Sequence, residues 1–359
     1  MKKIKILILA TFILLITLQY KLNGQISPIY DYNYVNDTAL SDEFNGTQIN
    51  TLKWHIYNYD GCCNGAGVYF SSSLASEDSG YLKLEATNSD GLLTTSGIES
   101  LNNSYLYGYY EMRAKLPGYF NTLTNSPCSQ GFWTSFWTYY HVQTENPLCT
   151  VAHNEIDIQE SSGLNGSGWG AGIDNNANIV ESHCWGNPSN CSAILSDVSS
   201  LSNLPPLYAN FHKFAAEYLS NRMIFYFDDV PFAIYYGQTF NPTYSMKVVM
   251  DNQLQALSTF NSNTPWPMYY TIDYFHYYQL NTTNCSTNLY IKNNAQLANF
   301  WRPGSAGVLS NITIGDGTDP VSLTAGVTYV FRAVNSVTIN GNFTMGSGSS
   351  LNIIPTPCD

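Results

Sequence analysis

Basic side chains are scarce in this chain. Lys and Arg number 14 among 359 residues, against 26 Asp and Glu, giving a formal net charge of −12. So few cations cannot build the phosphate-neutralising surface that nucleic-acid binding requires, and a polyanionic ligand is disfavoured. Charged residues of both signs reach only 11%, where about a quarter is usual. Cys-x-x-Cys pairs are missing as well, which removes a zinc cage. No long stretch carries a 3.6-residue apolar stripe, so a helical core is excluded. What is abundant is aromatic: 28 Tyr, 17 Phe and 7 Trp, 14% of the chain. Aromatic and β-branched residues run throughout, which excludes disorder. The length suffices for one large domain and a small one. A large, uncharged, polar partner suits such a surface.

The N-terminus bears on compartment. Lys2, Lys3 and Lys5 precede the apolar run Ile6 to Leu18, and a polar stretch follows from Gln19 to Gln25. The run is short for a membrane span and has the layout of a secretory signal, with cleavage expected near Gly24. A retained anchor is the alternative. No Cys follows the run, so a lipid-attachment reading has no acceptor. Removing this segment takes away four Lys and no acid, which moves the net charge from −12 to about −16. The expected product is secreted or held at the cell surface, without stable membrane insertion.

Eight cysteines in an exported chain point to disulfides. Cys184 with Cys191 makes a short loop, Cys128 with Cys149 flanks a Trp-rich segment, and Cys285 with Cys358 brackets the C-terminal part. Cys62 and Cys63 are adjacent and pair elsewhere. Spacing alone leaves these pairings open.

Short alternating segments dominate after residue 28. They include Tyr81 to Ala86, Tyr109 to Leu116, Phe214 to Tyr218, Met223 to Phe227 and Tyr269 to Leu280, separated by Gly, Asn, Ser and Pro turns. This is the pattern of an all-β sandwich, with at most a short helical turn at Leu195 to Leu201. From Val308 the character changes. Short segments recur at Leu309 to Ile314, Val321 to Leu323, Thr328 to Arg332, Val337 to Ile339 and Leu351 to Ile354, which reads as a small β-module of stacked strands.

The chemistry concentrates in His153-Asn-Glu-Ile-Asp-Ile-Gln-Glu160. A strand sends alternate residues to one face, so Glu155 and Asp157 share a face opposite Ile156 and Ile158. Glu160 falls on the wrong face unless a β-bulge at Ile158-Gln159 adds one residue. Three carboxylates then line one surface, and like charges at that separation raise at least one pKa. Retaining glycoside hydrolysis uses two carboxyls about 5–5.5 Å apart, one as nucleophile and one as acid/base. Glu155 takes the first role, Glu160 the second, and Asp157 tunes the pair. A solvated acidic sheet edge is the alternative, disfavoured because Ile156 and Ile158 make the strand half-buried.

These residues carry a resemblance. Glu155-Ile-Asp-Ile-Gln-Glu160 is similar to the E-x-D-x-x-E signature of glycoside hydrolase family 16, the laminarinases, lichenases, agarases and κ-carrageenases. Leu40-Ser-Asp-Glu-Phe-Asn-Gly46, Tyr107 to Pro117, Gly131-Phe-Trp-Thr-Ser-Phe-Trp137, Phe211 to Glu217 and Ile272-Asp-Tyr274 resemble further motifs of that family in the same order. The resemblance spans about residues 30 to 280 and implies an all-β jelly-roll (concanavalin A-like) sandwich with a glycan cleft, and the same roles for Glu155, Asp157 and Glu160. It divides the chain into a signal (1–24), a catalytic domain (25–282), a transition (283–307) and a small β-repeat module (308–359).

Further roles follow from the resemblance. Trp133 is expected as a sugar-stacking platform and Trp137 as a core residue. Arg113, with Glu111 on the same strand face, is expected to bind sugar hydroxyls, an ion pair between the two being the alternative. His183 and Trp185 are expected beside the catalytic strand, His212 in a structural role, and Asn64 at a distal subsite. The chemistry requires no cofactor. The family often carries a structural Ca²⁺ away from the cleft, but no spacing here names its ligands. The C-terminal module resembles β-repeat tails of exported bacterial proteins, with attachment to a cell surface or glycan as its role.

Departures touch specificity. Thr134-Ser135 replaces Pro-Ala, residues 118–130 form an insertion, and Cys62-Cys63 replaces a stretch typical of laminarinases. The expected activity is retaining endo-hydrolysis of a neutral β-glucan (β-1,3 or mixed-linkage) or a galactan. The alternatives are an agarase- or carrageenase-type galactan hydrolase and an inactive lectin-like carbohydrate-binding protein.

Overall fold

The computed structural model describes residues 33–60, 68–123, 125–128, 130–142, 152–162, 180–186, 195–201, 204–220, 222–236, 245–255, 257–260, 262–283, 285–300, 307–315, 317–341 and 343–356. The chain forms two compact units. One comprises Val35–Asp228 and Ala233–Leu280, with Asp359; the other comprises Met1–Tyr34, Asp229–Phe232 and Asn281–Cys358.

The first unit is a jelly-roll sandwich of two mainly antiparallel sheets. The sheet that matters for function has seven strands among the described residues: β1 (Trp54–Ile56), β2 (Gly97–Ser100), β3 (Phe132–Val142), β4 (Ala152–Ser162), β5 (Val180–Gly186), β6 (Leu195–Leu201) and β7 (Lys247–Leu254). Their spatial order is β6-β5-β4-β3-β7-β2-β1. The facing sheet is built around Gly108–Lys115, His212–Leu219 and Met268–Leu280.

Period-two alternation decides which side chains fill the space between the sheets. From the seven-stranded sheet come Phe136, Ile156, Val248 and Met250; from the facing sheet come Met112, Phe214, Tyr270 and Phe275, all buried. Phe136 and Phe275 meet edge-on with ring centroids 5.8 Å apart. Polar groups also cross the gap: Asn252 donates its amide to the Leu84 carbonyl at 3.0 Å.

The β-bulge expected at Ile158-Gln159 is present in β4. Against β3, Phe136 stands opposite Gln159 but Trp137 stands opposite Asp157, leaving Ile158 without an opposite residue. Against β5, Asp157 pairs with His183 and Glu160 with Glu181, three steps on one strand against two on the other. Ile156, Ile158 and Gln159 are all buried, while Glu160 returns to partial exposure. Gln159 anchors the irregularity. Its amide nitrogen donates to the Thr134 carbonyl at 2.9 Å, and its amide oxygen accepts from the Tyr270 hydroxyl of the facing sheet at 2.8 Å.

Two expectations are corrected. Leu195 to Leu201 is a strand paired with β5, not a helical turn. Its apolar residues recur every third position, which mimics a helix, but seven paired residues beside β5 override so short a local signal. Arg113 and Glu111 lie in the facing sheet, as described below.

In the second unit, strands Asn288–Ile291, Leu309–Ile314, Thr328–Ile339 and Ser350–Pro355 pair in parallel in chain order. Val321–Leu323 and Phe343–Met345 make a second parallel pair. Ile291, Ile312, Ile314, Val321, Leu323 and Phe331 form its core. Thr328 to Ile339 is continuous, where two separate segments were expected. Residues 283–307, expected as a transition, contribute a strand to this sheet and an α-helix, Asn294–Phe300. Neutral ladders line successive strands: Asn311 donates to Asn288 at 2.7 Å, Ser336 to Asn311 at 2.8 Å, and Ser350 to Thr328 at 2.7 Å.

Cys128 is a buried free thiol, so the Cys128–Cys149 pairing is not formed. Cys285 is held in a disulfide.

Replacing Gln159 by Leu keeps the volume but takes from the buried Tyr270 hydroxyl its amide acceptor, leaving it the weak Met112 Sδ acceptor at 3.4 Å. Leaving a buried hydroxyl without its acceptor costs about 1–3 kcal/mol. A fall of that size in the urea-unfolding free energy is expected, with Tyr270→Phe lowering it less.

Candidate active site

On β4 the bulge puts Glu155, Asp157 and Glu160 on one face, pointing away from the facing sheet. The neighbouring strands align with them. On β3, Tyr139 stands opposite Glu155, Trp137 opposite Asp157 and Ser135 opposite Glu160. On β5, Trp185 is opposite Glu155, His183 opposite Asp157 and Glu181 opposite Glu160. Register therefore brings His183 and Trp185 to the positions expected of them; their side chains lie outside the described residues, as does Asn64.

Trp133 differs from its expected role in one respect. Its indole N–H donates to the Glu160 carboxylate at 2.5 Å. A donor on the carboxylate favours its ionised form, so Trp133 holds and orients Glu160. Trp137, expected in the core, lies on the same face four residues on. Its indole N–H donates to Asp251 at 3.3 Å, and its ring stacks on Tyr139 with centroids 5.0 Å apart.

Asp251 was not anticipated. It sits on β7 opposite Ser135, as Glu160 does from the other side of β3. Gln253 donates to the same Asp251 oxygen at 3.2 Å. Gly97 on β2 stands opposite Asp251, and a Cβ there would come within 2.7 Å of the Asp251 Cβ and 2.8 Å of the Tyr57 ring. Burial lifts the Asp251 pKa to about 7; Trp137, Gln253 and Ser135 pull it down, and the charge of Glu160 adds to the rise. The alternation of Lys247, Asp251 and Gln253 with Val248, Met250 and Leu254 was a legible strand signal for this residue.

Farther along the same face, Glu99 on β2 is a second unanticipated acid. It accepts from the Tyr139 hydroxyl at 2.6 Å, the Tyr57 hydroxyl at 3.3 Å and the Lys247 ammonium at 2.5 Å. Burial pushes its pKa up, yet Lys247, Tyr139 and Tyr57 together hold it below the ordinary carboxylate value. Tyr57, Phe70 and Val249 pack with Trp137 and Tyr139 into an aromatic surface beside it.

Glu111 and Arg113 are not part of this face. They lie on Gly108–Lys115 in the other sheet, on the side opposite Tyr110 and Met112. Glu111 is fully buried and accepts from the Tyr274 hydroxyl at 2.7 Å and the Tyr109 hydroxyl at 3.3 Å. Arg113 ion-pairs with Asp273 and lies over the Phe211 ring, 4.8 Å from its centroid. These contacts are structural, so the expected sugar-binding role is withdrawn. His212 is buried against Asp228, its Nδ1 2.8 Å from the carboxylate, in keeping with a structural role. Among the described residues no group of three or more His, Cys, Asp or Glu is arranged to hold a metal ion.

The comparisons agree with this architecture. Residues 34–280 match the family described as the beta-porphyranase A-D GH16 domain. The chain is 28% identical to beta-porphyranase D of Zobellia galactanivorans over 180 residues, 45% of this chain and 39% of the relative. It is 25% identical to beta-porphyranase E of the same organism over 161 residues, 43% of this chain and 53% of the relative. It thus spans less than two thirds of the length of either curated relative. Among solved structures, porphyranase B from Zobellia galactanivorans superposes with a TM-score of 0.54 at 18% identity, over 68% of this chain and 92% of the other. A laminarinase from Flavobacterium sp. UMI-01 gives 0.52 at 19%, over 67% and 98%. At such identity the structures speak for the fold.

The Glu99 cluster makes a test of the electrostatics. A carboxylate whose folded pKa is depressed adds stability above its unfolded value, and that stability is lost as pH falls through the folded value. Lys247→Met removes the largest lowering influence and leaves burial dominant. The variant is expected to lose about 1–3 kcal/mol at pH 7, as for a hydrogen bond to a charged group. Urea titrations are expected to show that deficit shrinking as pH falls below the ordinary carboxylate range and through the lowered folded value of the parent's Glu99.

Proposed function

The chain belongs to glycoside hydrolase family 16, and we propose that it is a secreted, retaining endo-hydrolase of a β-linked galactan of the porphyran type. The observation that carries the mechanism is the shared face of Glu155, Asp157 and Glu160 around the bulge, with Trp133 donating to Glu160. The substrate class rests on the two beta-porphyranases among its relatives, which favour a galactan over a β-glucan. The scarcity of basic residues suits uncharged sugar units within such a polymer.

In the proposed reaction Glu160 protonates the glycosidic oxygen while the Glu155 carboxylate attacks the anomeric carbon. The leaving chain departs with that proton, and a glycosyl ester forms on Glu155. Glu160, now ionised, takes a proton from water as the water oxygen attacks the same carbon. The ester breaks, Glu155 is freed as a carboxylate, and the anomeric configuration is that of the substrate. Asp157, between the two on the same face, helps hold the geometry of the nucleophile. The aromatic surface of Trp137, Tyr139 and Tyr57 supplies apolar faces for pyranose rings, with hydroxyls and carboxylates at its edge for sugar hydroxyls.

Secretion rests on residues 1–24, and disulfides on the cysteine count in an exported chain. The second unit serves attachment to a cell surface or a glycan. A structural Ca²⁺ has no part in the steps above.

Glu155→Gln and Glu160→Gln are each expected to lower turnover of porphyran by about a thousand-fold or more with the fold intact. Proton NMR of early products by the parent protein is expected to show the substrate's own β-configuration. Turnover unchanged in both variants would defeat the mechanism. Cleavage of laminarin with no action on any galactan would return the substrate to the glucans.

A further inference from the structure

Glu160 and Asp251 flank the same strand. Ser135 of β3 stands opposite Glu160 on one side and opposite Asp251 on the other. The two carboxyls are held by separate indoles, Trp133 for Glu160 and Trp137 for Asp251, projecting from the same face of β3. Ser135 also hydrogen-bonds Asp251, and the charge of Glu160 acts on Asp251 directly. One Asp251 oxygen, Oδ1, is buried without a hydrogen-bond partner. Gly97 gives the backbone room to seat this carboxyl so deeply.

We propose that Asp251 is a positioning residue for the acid/base: it forms with Glu160 a coupled pair that carries one proton through the neutral range. The inference rests on the acid/base assignment of Glu160 made above. Its physical basis is that two like charges on either side of one strand, one of them buried, disfavour the doubly ionised state. The pair gives up a first proton readily and keeps the second to higher pH. That second proton is distributed between the two carboxyls. Each state with the proton on Glu160 is competent to protonate a leaving group, with the negative charge left on Asp251 among Trp137, Gln253 and Ser135.

Among the described residues, the groups that act most on Asp251 include no cation. The groups that face Asp251 are Glu160 across Ser135, Tyr57 from beside β2, Tyr270 from the facing sheet, and the neutral donors Trp137 and Gln253. Lys247, on the same strand as Asp251, is engaged by Glu99. The burial-driven pKa of about 7 at Asp251 fits a carboxyl that stays protonated where ordinary ones do not.

The test uses the full-length protein and the pH dependence of kcat/KM on porphyran. Asp251→Asn keeps the shape but cannot share a proton, so Glu160 titrates alone. The alkaline limb is expected to move down by about one unit, the threshold for a coupled pair, while the acidic limb stays fixed. An alkaline limb that does not move, or a loss of kcat equal at every pH, overturns the proposal. Carbon-13 titration of labelled aspartate gives an arm that needs no activity. In Glu160→Gln the Asp251 carboxyl is expected to titrate at lower pH than in the parent, and an unchanged titration overturns the coupling even if Asp251→Asn fails to fold. Failure of the acid/base assignment looks different: Glu160→Gln would then retain turnover whatever Asp251 does.

Discussion

The amide of Gln159 is the contact on which the site depends. A bulge in a central strand leaves a residue out of the ladder and turns two consecutive side chains toward the same side. In most central strands that would bury an unmatched polar group between the sheets. Here the extra inward residue is a glutamine whose two ends are both satisfied, by the Thr134 carbonyl on the neighbouring strand and the Tyr270 hydroxyl on the facing sheet. The irregularity is therefore fixed from two directions. Without it Glu160 points into the core and Glu155 has no partner of the right reach. The shared face of Glu155, Asp157 and Glu160 is a by-product of a satisfied core amide.

Around that strand the carboxylates share a common environment. Glu160 is held by an indole N–H, Asp251 by an indole and a side-chain amide, Glu111 by two phenols, and Glu99 by two phenols together with one lysine. A chain so poor in Lys and Arg has few guanidinium or ammonium groups to offer, and its Tyr and Trp supply the donors instead. An aromatic residue can do this while burying its ring, because its polar atom sits at one end of a large apolar body. The Tyr-rich composition and the acidic site are two sides of the same construction.

How much of this was legible follows the same line. The signature Glu155 to Glu160, the need for a bulge and the all-β class were readable, because strand periodicity is local. Which sheet a strand joins is not local. Glu111 and Arg113 alternate as a binding pair would, yet nothing in Gly108 to Lys115 says that its outward face belongs to the other sheet. Trp137 was assigned to the core for a related reason: in Phe132 to Trp137 the burial of Phe136 is evident, but residue 137 then faces the site, where an aromatic side chain serves equally well. Asp251 was missed although its strand alternates cleanly. A single acid in an apolar strand draws notice only once its neighbour across Ser135 is known to be Glu160.

The choice of neutral donors has a chemical consequence. A guanidinium beside a carboxylate fixes it in the ionised form over the whole working range, which suits a structural pair such as Arg113 with Asp273. An indole or amide donor orients a carboxylate with far less bias toward its charge. Protonation is then decided by burial and by the other carboxylates, which are the influences that differ most from one acid to the next on this face. Glu160 is partly exposed and Asp251 is buried, and burial raises the hold of Asp251 on its proton. A cation-poor composition thus does more than suit uncharged sugar units: it leaves the acids of the site free to set one another's state.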